Sequence, residues 1–109
     1  MLRAHALSLP EATEVVTWEV HNTYRVRNKI FVVMGEDGTT ASIKATPDEQ
    51  RALLADPSAA FAVAPHTGRF GWVLVTLAKA DAEQVKELVT DGWRLTAPKR
   101  LVRVFDEQK

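Results

Sequence analysis

The chain contains no cysteine, which excludes disulfides, thiol catalysis and zinc sites built on thiolates. It also carries no net charge, because 14 Lys and Arg balance 14 Asp and Glu. A dedicated nucleic-acid binder usually has a positive excess, so the composition argues against strong non-specific DNA binding while leaving room for a local basic patch. No apolar run approaches the roughly 20 residues of a membrane span, and the first residues lack the apolar core of a signal peptide. We therefore expect a cytoplasmic protein that makes no membrane contact.

The chain length of 109 residues indicates one domain, covering 1–109. A chain of this size buries roughly two-thirds of its unfolded surface, which is enough for a core without metal or disulfide support. No internal repeat, low-complexity run or linker divides it.

Hydrophobic patterning predicts a two-layer α+β fold, with three helices on a mainly antiparallel sheet of five to six strands. The element order is α-β-β-β-β-α-β-β-α. A short first helix is expected before Pro10, and the last helix carries Val85, Leu88 and Val89 on one face. The strand-forming runs are 14–19, 23–27, 30–34, 40–45, 61–63 and 72–77. The basic tail 99–105 is read as either a final strand or a packed extension.

Helix-capping and turn-forming residues support this order. Thr46 is expected to cap the middle helix, with Glu49 completing a capping box, and Asp81 to cap the last helix. Asp37-Gly38 predicts a tight hairpin with positive φ at both residues. The dipeptide His21-Asn22 is read as a turn, and Gly92 as the point where the last helix ends or bends.

Four segments, taken in order, resemble the MmcQ/YjbR family. Ser8-Leu9-Pro10-Glu11-Ala12-Thr13-Glu14 resembles its N-terminal element, and Thr23-Tyr24-Arg25-Val26 with Lys29-Ile30-Phe31 resembles its hairpin. Gly68-Arg69-Phe70-Gly71-Trp72-Val73 and Asp91-Gly92-Trp93-Arg94-Leu95 resemble two later motifs. The resemblance implies a fold similar to bacterial frataxin (CyaY) and to type III secretion chaperones. Members are often labelled DNA-binding through a double-winged arrangement. This chain departs from the family pattern at Asn28, where a glycine is usual, and at Ala97-Pro98-Lys99-Arg100-Leu101.

The main candidate contacts to double-stranded DNA are Arg25, Arg27, Lys29 and Lys44. Period-2 geometry predicts Arg25 and Arg27 on one strand face, where they would form a ridge able to follow phosphates. The alternative interpretation is an ordinary polar face on a half-solvated sheet, with Glu19 pairing one of the arginines.

Two further basic segments complete the candidate set. Arg69 lies with Phe70 and Trp72 in a loop that could act as a wing, although core packing is the expected role of both aromatics. Lys99 and Arg100, followed by Arg103, form the densest positive run. Their position near the end of the last helix, whose dipole favours cations there, is an explanation that needs no ligand.

No residue is assigned to catalysis, metal or cofactor binding. His5, His21 and His66 show no ligand spacing. Frataxin-like iron binding would need an acidic first helix, and residues 1–10 contain no Asp or Glu. We therefore do not expect an enzyme.

Three functional hypotheses follow. The first is weak DNA binding. The second is a non-catalytic protein-interaction or chaperone-like module that pairs with itself or with another protein. The third is a small-molecule site in a groove between sheet and helices, built on His21, Tyr24 or Arg69.

Overall fold

The computed structural model describes residues 1–17 and 21–108. It contains one six-stranded antiparallel sheet in the order β1-β2-β3-β4-β6-β5. The strands are β1 (Ala12–Thr17), β2 (His21–Val26), β3 (Lys29–Met34), β4 (Thr40–Ile43), β5 (Phe61–Val63) and β6 (Val73–Thr76). The α-helices are α1 (Leu2–Ser8), α2 (Pro47–Leu54), α3 (Ala82–Thr96) and α4 (Lys99–Glu107). The predicted α+β class and element order are confirmed, with one helix more than expected.

The core lies between one face of the sheet and the helices α1 and α3. Tyr24, Val32 and Ile43 occupy one row across β2, β3 and β4, and each is at most 1% exposed. Trp93 of α3 is fully buried, and its indole Nε1 donates to the carbonyl oxygen of Pro10 at 3.0 Å. Its ring also packs against Phe105 of α4, with centroids 5.0 Å apart. Trp93 thus joins α3 to the α1–β1 junction and to α4.

The opposite face of the sheet carries a different row. Thr23, Val33, Ser42 and Leu74 lie side by side across β2, β3, β4 and β6. No described helix covers this row, and Val33, Ser42 and Leu74 remain half-buried. Within the described residues, no helix has the length and apolarity needed to cross a bilayer.

The predicted helix starts are confirmed at the N-caps. Thr46 Oγ1 accepts from the Glu49 amide at 3.2 Å, and Asp81 Oδ2 accepts from the Gln84 amide at 3.1 Å. Each bond satisfies one of the amides that a helix start leaves without an intrahelical partner.

Two predicted turns are wrong. His21 and Asn22 lie in β2, because pairing with β1 outweighs the turn preference of the dipeptide. At the β3–β4 hairpin only Gly38 has a positive φ, of 77°, and the connection is a wider loop over residues 35–39. The turn with two positive φ values is Arg27-Asn28, at 50° and 65°, between β2 and β3.

Two predictions about the C-terminal region are also corrected. The tail is helix α4, so the reading as a final strand is wrong. Gly92 does not end α3, which continues to Thr96. A Cβ at Gly92 would lie 2.9 Å from the Lys44 carbonyl oxygen, so the glycine allows α3 to approach the sheet closely. Trp18 and Glu19, at the end of the first predicted strand, lie outside the described residues.

Gly71 holds the loop before β6 against the start of α2. Its φ is 103°, and a Cβ would lie 2.6 Å from the Pro47 nitrogen and from the Thr46 carbonyl carbon. We expect Gly71→Ala to lower the free energy of unfolding by about 3 kcal/mol or more, from backbone strain together with overpacking. Urea unfolding followed by tryptophan fluorescence measures the loss.

Gly38→Ala is the matched control for that substitution. Gly38 also has a positive φ, but a Cβ there meets nothing within 4 Å. It should cost only the conformational strain, about 1 kcal/mol. Equal losses in the two variants would show that the close approach at Gly71 has no energetic consequence.

Candidate functional site

The strand register places most of the predicted cations at one end of the sheet. At this end β2 turns into β3, β4 leads to α2, and β6 begins. We call it the basic end, and define it by six residues: Arg27, Lys29, Lys44, Arg69, Lys99 and Arg100. The residues belong to the β2–β3 turn, the start of β3, the residue after β4, the loop before β6 and the start of α4. The sheet topology thus gathers side chains that are scattered along the sequence.

Arg27 does not share a strand face with Arg25, so the predicted two-arginine ridge is wrong. Arg27 occupies the left-handed turn, where its guanidinium forms a two-pronged contact with Glu11, including Nη2 to Oε2 at 3.1 Å. The hydrogen bond from Arg27 holds the pKa of Glu11 below its usual value. Because both side chains are well exposed, this ion pair is a weak restraint on the Arg27 side chain.

Arg25 lies on the uncovered face and is held by neutral groups. Its guanidinium donates to Thr17 Oγ1 at 2.8 Å, to Thr23 Oγ1 at 3.1 Å and to Asn28 Oδ1 at 3.3 Å. These oxygens fix the orientation of the side chain without neutralising its charge. Asn28 also links Arg25 to the turn at the basic end. Glu19, the acid predicted to pair one of these arginines, lies outside the described residues.

The loop carrying Arg69 is tied to helix α2. Gln50 Nε2 donates to the carbonyl oxygens of Gly68 and Trp72, at 2.8 and 2.9 Å, and so brackets the loop. Arg69 is exposed as predicted, with its guanidinium carbon 4.8 Å from the centre of the Phe70 ring. The expected core role is wrong for Phe70, which is 60% exposed, whereas Trp72 is half-buried. The loop presents a cation stacked on an aromatic ring.

Lys99 and Arg100 are exposed in the first turn of α4, which contains no acidic residue. They follow the C-terminus of α3, where a helix dipole favours cations, but they also form the first turn of α4. Cations at a helix N-terminus are unfavourable to the helix, so the dipole does not account for their presence. Arg100 and Arg27 border the same surface groove of about 400 Å³. The start of α4 therefore adjoins the β2–β3 turn.

Acidic groups are distributed differently. Several are engaged in ion pairs, namely Arg3–Glu14, Arg51–Asp48, Lys86–Glu83 and Arg94 with both Asp91 and Asp106. Of these, the Arg51–Asp48 pair lies at the start of α2, next to the basic end. Others follow the opposite end of the strands, in the β3–β4 loop and before α3: Glu36, Asp37 and Asp81. Glu49, at the start of α2, is an acid near the basic end, and burial raises its pKa. Among the described residues, Lys29, Lys44, Arg69, Lys99 and Arg100 form no ion pair.

The side chains named for a groove between sheet and helices do not converge. Tyr24 is buried on the helix-covered face, His21 borders the uncovered face, and Arg69 lies in the loop at the basic end.

The uncovered face does carry a cavity, lined in part by His21, Ser42 and His66. Strand alternation could have placed Ser42 on this face. No sequence signal indicated that the loop of His66 would fold over it. Across residues 1–17 and 21–108, no three His, Asp or Glu side chains gather as a metal site.

The hydroxyl of the buried Tyr24 belongs to a hydrogen-bond network that reaches the exposed Arg3 of α1. It donates to Glu14 Oε2 at 2.9 Å, and the Arg3 guanidinium donates to both carboxylate oxygens at 3.1–3.2 Å. Burial, reinforced by the hydrogen bond to Glu14, raises the pKa of Tyr24 from 10.0 to about 12. The hydrogen bond from Arg3 holds the pKa of Glu14 below its usual value.

Comparison with known proteins supports a family assignment. The family model described as YjbR matches residues 7–95. Uncharacterised proteins of Mycobacterium tuberculosis and Mycobacterium bovis are 39% identical to the chain over 54 residues, which is 50% of this chain and 42% of each relative. The matched stretch therefore spans less than half the length of these curated relatives. A crystal structure of a Deinococcus radiodurans protein with a DUF419 domain is similar in fold, with a TM-score of 0.78 and 22% identity. That similarity covers 86% of this chain and 74% of the other.

The raised pKa of Tyr24 is directly measurable, because it is the single tyrosine of the chain. We expect the tyrosinate absorbance of the folded protein to titrate near pH 12, against about 10 in denaturant. Folding favours the protonated hydroxyl, so this contribution to stability is complete below pH 10 and is lost as the pH rises towards 12.

Glu14→Gln should lower the titration midpoint of Tyr24 part of the way towards pH 10, because it removes the negative charge beside the hydroxyl but leaves Tyr24 buried. Glu83→Gln is the control, since that carboxylate lies on α3 without contact to the hydroxyl. If Tyr24 of the unsubstituted protein titrated near pH 10 while circular dichroism still reported the folded state, the burial of its hydroxyl beside Glu14 would be contradicted.

Proposed function

This chain belongs to the YjbR family, and we propose that its basic end binds the phosphate backbone of double-stranded DNA, weakly and without reading the sequence. The observation that carries the proposal is the separation of charge within a chain of zero net charge. Near the basic end lie Glu11, which pairs with Arg27, and Asp48 and Glu49 at the start of α2. Several other acids form ion pairs elsewhere or lie at the opposite end of the sheet, while five cations of the basic end have no carboxylate partner among the described residues.

The spacing of these cations suits a phosphate backbone. Neighbouring strands are about 4.8 Å apart, so the three steps from β2 to β6 span about 14 Å. One DNA strand presents a phosphate for every 3.4 Å or so of helix axis, so this span faces about four phosphates. Lys29 and Lys44 supply point charges, and Arg69 supplies a planar donor group that can bind two phosphate oxygens. Few contacts and no net positive charge favour low affinity, and because the contacts are to phosphates this affinity falls as salt rises.

Fluorescence anisotropy of a labelled duplex, at low and at physiological salt, tests the proposal. We expect binding at low salt, with log K falling in log[salt] by about 0.9 per phosphate contacted. Lys29→Ala combined with Lys44→Ala should remove about two units of that slope and lower the affinity by about tenfold or more at low salt. Arg25→Ala should have a smaller effect, because Thr17, Thr23 and Asn28 hold its guanidinium on the uncovered face.

Lys79→Ala is the matched control. Lys79 is an exposed cation that forms no ion pair among the described residues, but it follows β6 at the opposite end of the sheet. It should leave affinity and slope nearly unchanged. Absence of binding at low salt, or an equal loss with Lys79→Ala and Lys44→Ala, would refute the assignment of DNA binding to the basic end.

A second candidate function, self-association, is favoured by strand β1. It is an edge strand that pairs only with β2 within the described sheet, and it contains neither proline nor lysine. Val16 on this strand is 59% exposed. A long edge with exposed β-branched residues is a template for pairing with another chain, and antiparallel pairing of two identical edges is self-complementary. The partner in this proposal is a second copy of the chain.

Light scattering after size exclusion, over a range of concentrations, tests this pairing. We expect a dimer that Val16→Lys converts to monomer, because lysine on an edge strand opposes strand addition. Val63→Lys is the control, since Val63 is 53% exposed on β5 at the other edge. A monomer at every concentration would exclude the edge-pairing function.

A further inference from the structure

The uncovered face of the sheet contains a cavity of about 300 Å³. Its floor is the row of Val33, Ser42 and Leu74, contributed by β3, β4 and β6. The segment 65–67, which connects β5 to the loop of Arg69, forms one wall. Pockets for small ligands begin at about this size and are mostly apolar with a few placed polar groups. This cavity has that composition.

The wall is held in an uncommon backbone conformation. His66 has a φ of 65°, and the Thr67 amide donates to the Pro65 carbonyl oxygen at 2.7 Å, which closes a three-residue turn around His66. Residues other than glycine rarely adopt this conformation, and such turns are strained. The Gly68 amide, bonded to the Ala64 carbonyl oxygen at 2.9 Å, closes the surrounding loop. The imidazole is therefore placed beside the cavity by a small, fixed turn, at a position where glycine would be less strained.

The polar groups of the lining are all capable of donating a hydrogen bond. Among the described residues, neither the Ser42 hydroxyl nor the His66 ring has a hydrogen-bond partner. His21 Nδ1 donates to the Met34 carbonyl oxygen at 3.2 Å, because a carbonyl can only accept. Among the described residues, the lining contains no Asp or Glu. These groups can therefore donate to a ligand that supplies acceptors, and no carboxylate in the described part of the lining repels an anion.

We propose that this cavity is a binding site for a small carboxylate with an aromatic or branched aliphatic body. The body lies on Val33 and Leu74, and the carboxylate accepts hydrogen bonds from Ser42 and His66. The site is on the sheet face, whereas the basic end lies at the strand termini, so the two proposals stand or fall separately.

Phenylacetate and its neutral counterpart phenylacetamide are suitable probes, titrated into isotopically labelled protein and followed by backbone amide chemical shifts. We expect saturable shifts at the amides of Val33, Ser42 and Leu74. Phenylacetate should bind about tenfold more tightly than phenylacetamide, because hydrogen bonds to a charged acceptor are the stronger ones.

Two substitutions separate a binding role from a structural one. His66→Gly removes the imidazole and relieves the backbone, so it should weaken phenylacetate binding by about tenfold while the melting temperature stays equal or rises. Ser42→Leu should abolish saturable shifts by filling the cavity. Thr13→Leu, on β1 of the same face but outside the lining, should leave binding unchanged.

Three outcomes would overturn the proposal. One is the absence of saturable shifts at the lining residues with either probe. Another is equal affinity for the charged and neutral probes, which would leave an apolar cavity without carboxylate recognition. The third is a lower melting temperature for His66→Gly with unchanged binding, which would make the turn a purely structural element.

Discussion

The burial of Trp93 is the interaction on which the arrangement of this protein depends. Its indole donates to the carbonyl of Pro10, 83 residues earlier in the chain, and its ring packs on Phe105 of the last helix. A buried indole N–H without an acceptor would be costly, so this hydrogen bond fixes where the α1–β1 junction meets α3. Gly92, the preceding residue, allows α3 to approach the backbone of Lys44. These contacts hold α1, α3 and α4 together, and no described helix covers the row of Thr23, Val33, Ser42 and Leu74 on the other face of the sheet.

The fold also determines how the charges are distributed. The antiparallel register brings the turn at Arg27, the start of β3 and the residue after β4 to one end of the sheet, and α4 begins beside them. Ion pairs between residues distant in sequence, such as Arg3 with Glu14 and Arg94 with Asp106, neutralise these carboxylates, so they do not pair with the cations of the basic end. A count of charges treats the chain as neutral, whereas its folded surface has a basic end.

The features that the sequence predicted well are those decided by neighbouring residues. The caps at Thr46 and Asp81 need only the next three residues, and the strand runs follow from alternation and β-branching. Helix α4 could have been predicted, because Leu101, Val102 and Phe105 have helical spacing. The β-branched residues of the tail instead led to the prediction of a strand as one of two alternatives. The turn predicted at His21-Asn22 was wrong for the opposite reason, since its turn preference is local and its pairing with β1 is not.

The positions of the candidate site residues depended on information that a single sequence does not display. Period-2 alternation put Arg25 and Arg27 on one face, and only the left-handed turn at Arg27 separates them. Whether a cation is available depends on which acid the fold brings to it, as Glu11 is brought to Arg27. His66 and Ser42 are 24 positions apart and meet only because a short loop closes over the sheet. Which cation or imidazole lies beside the sheet is therefore decided by the strand register of the whole domain. A local sequence motif does not determine it.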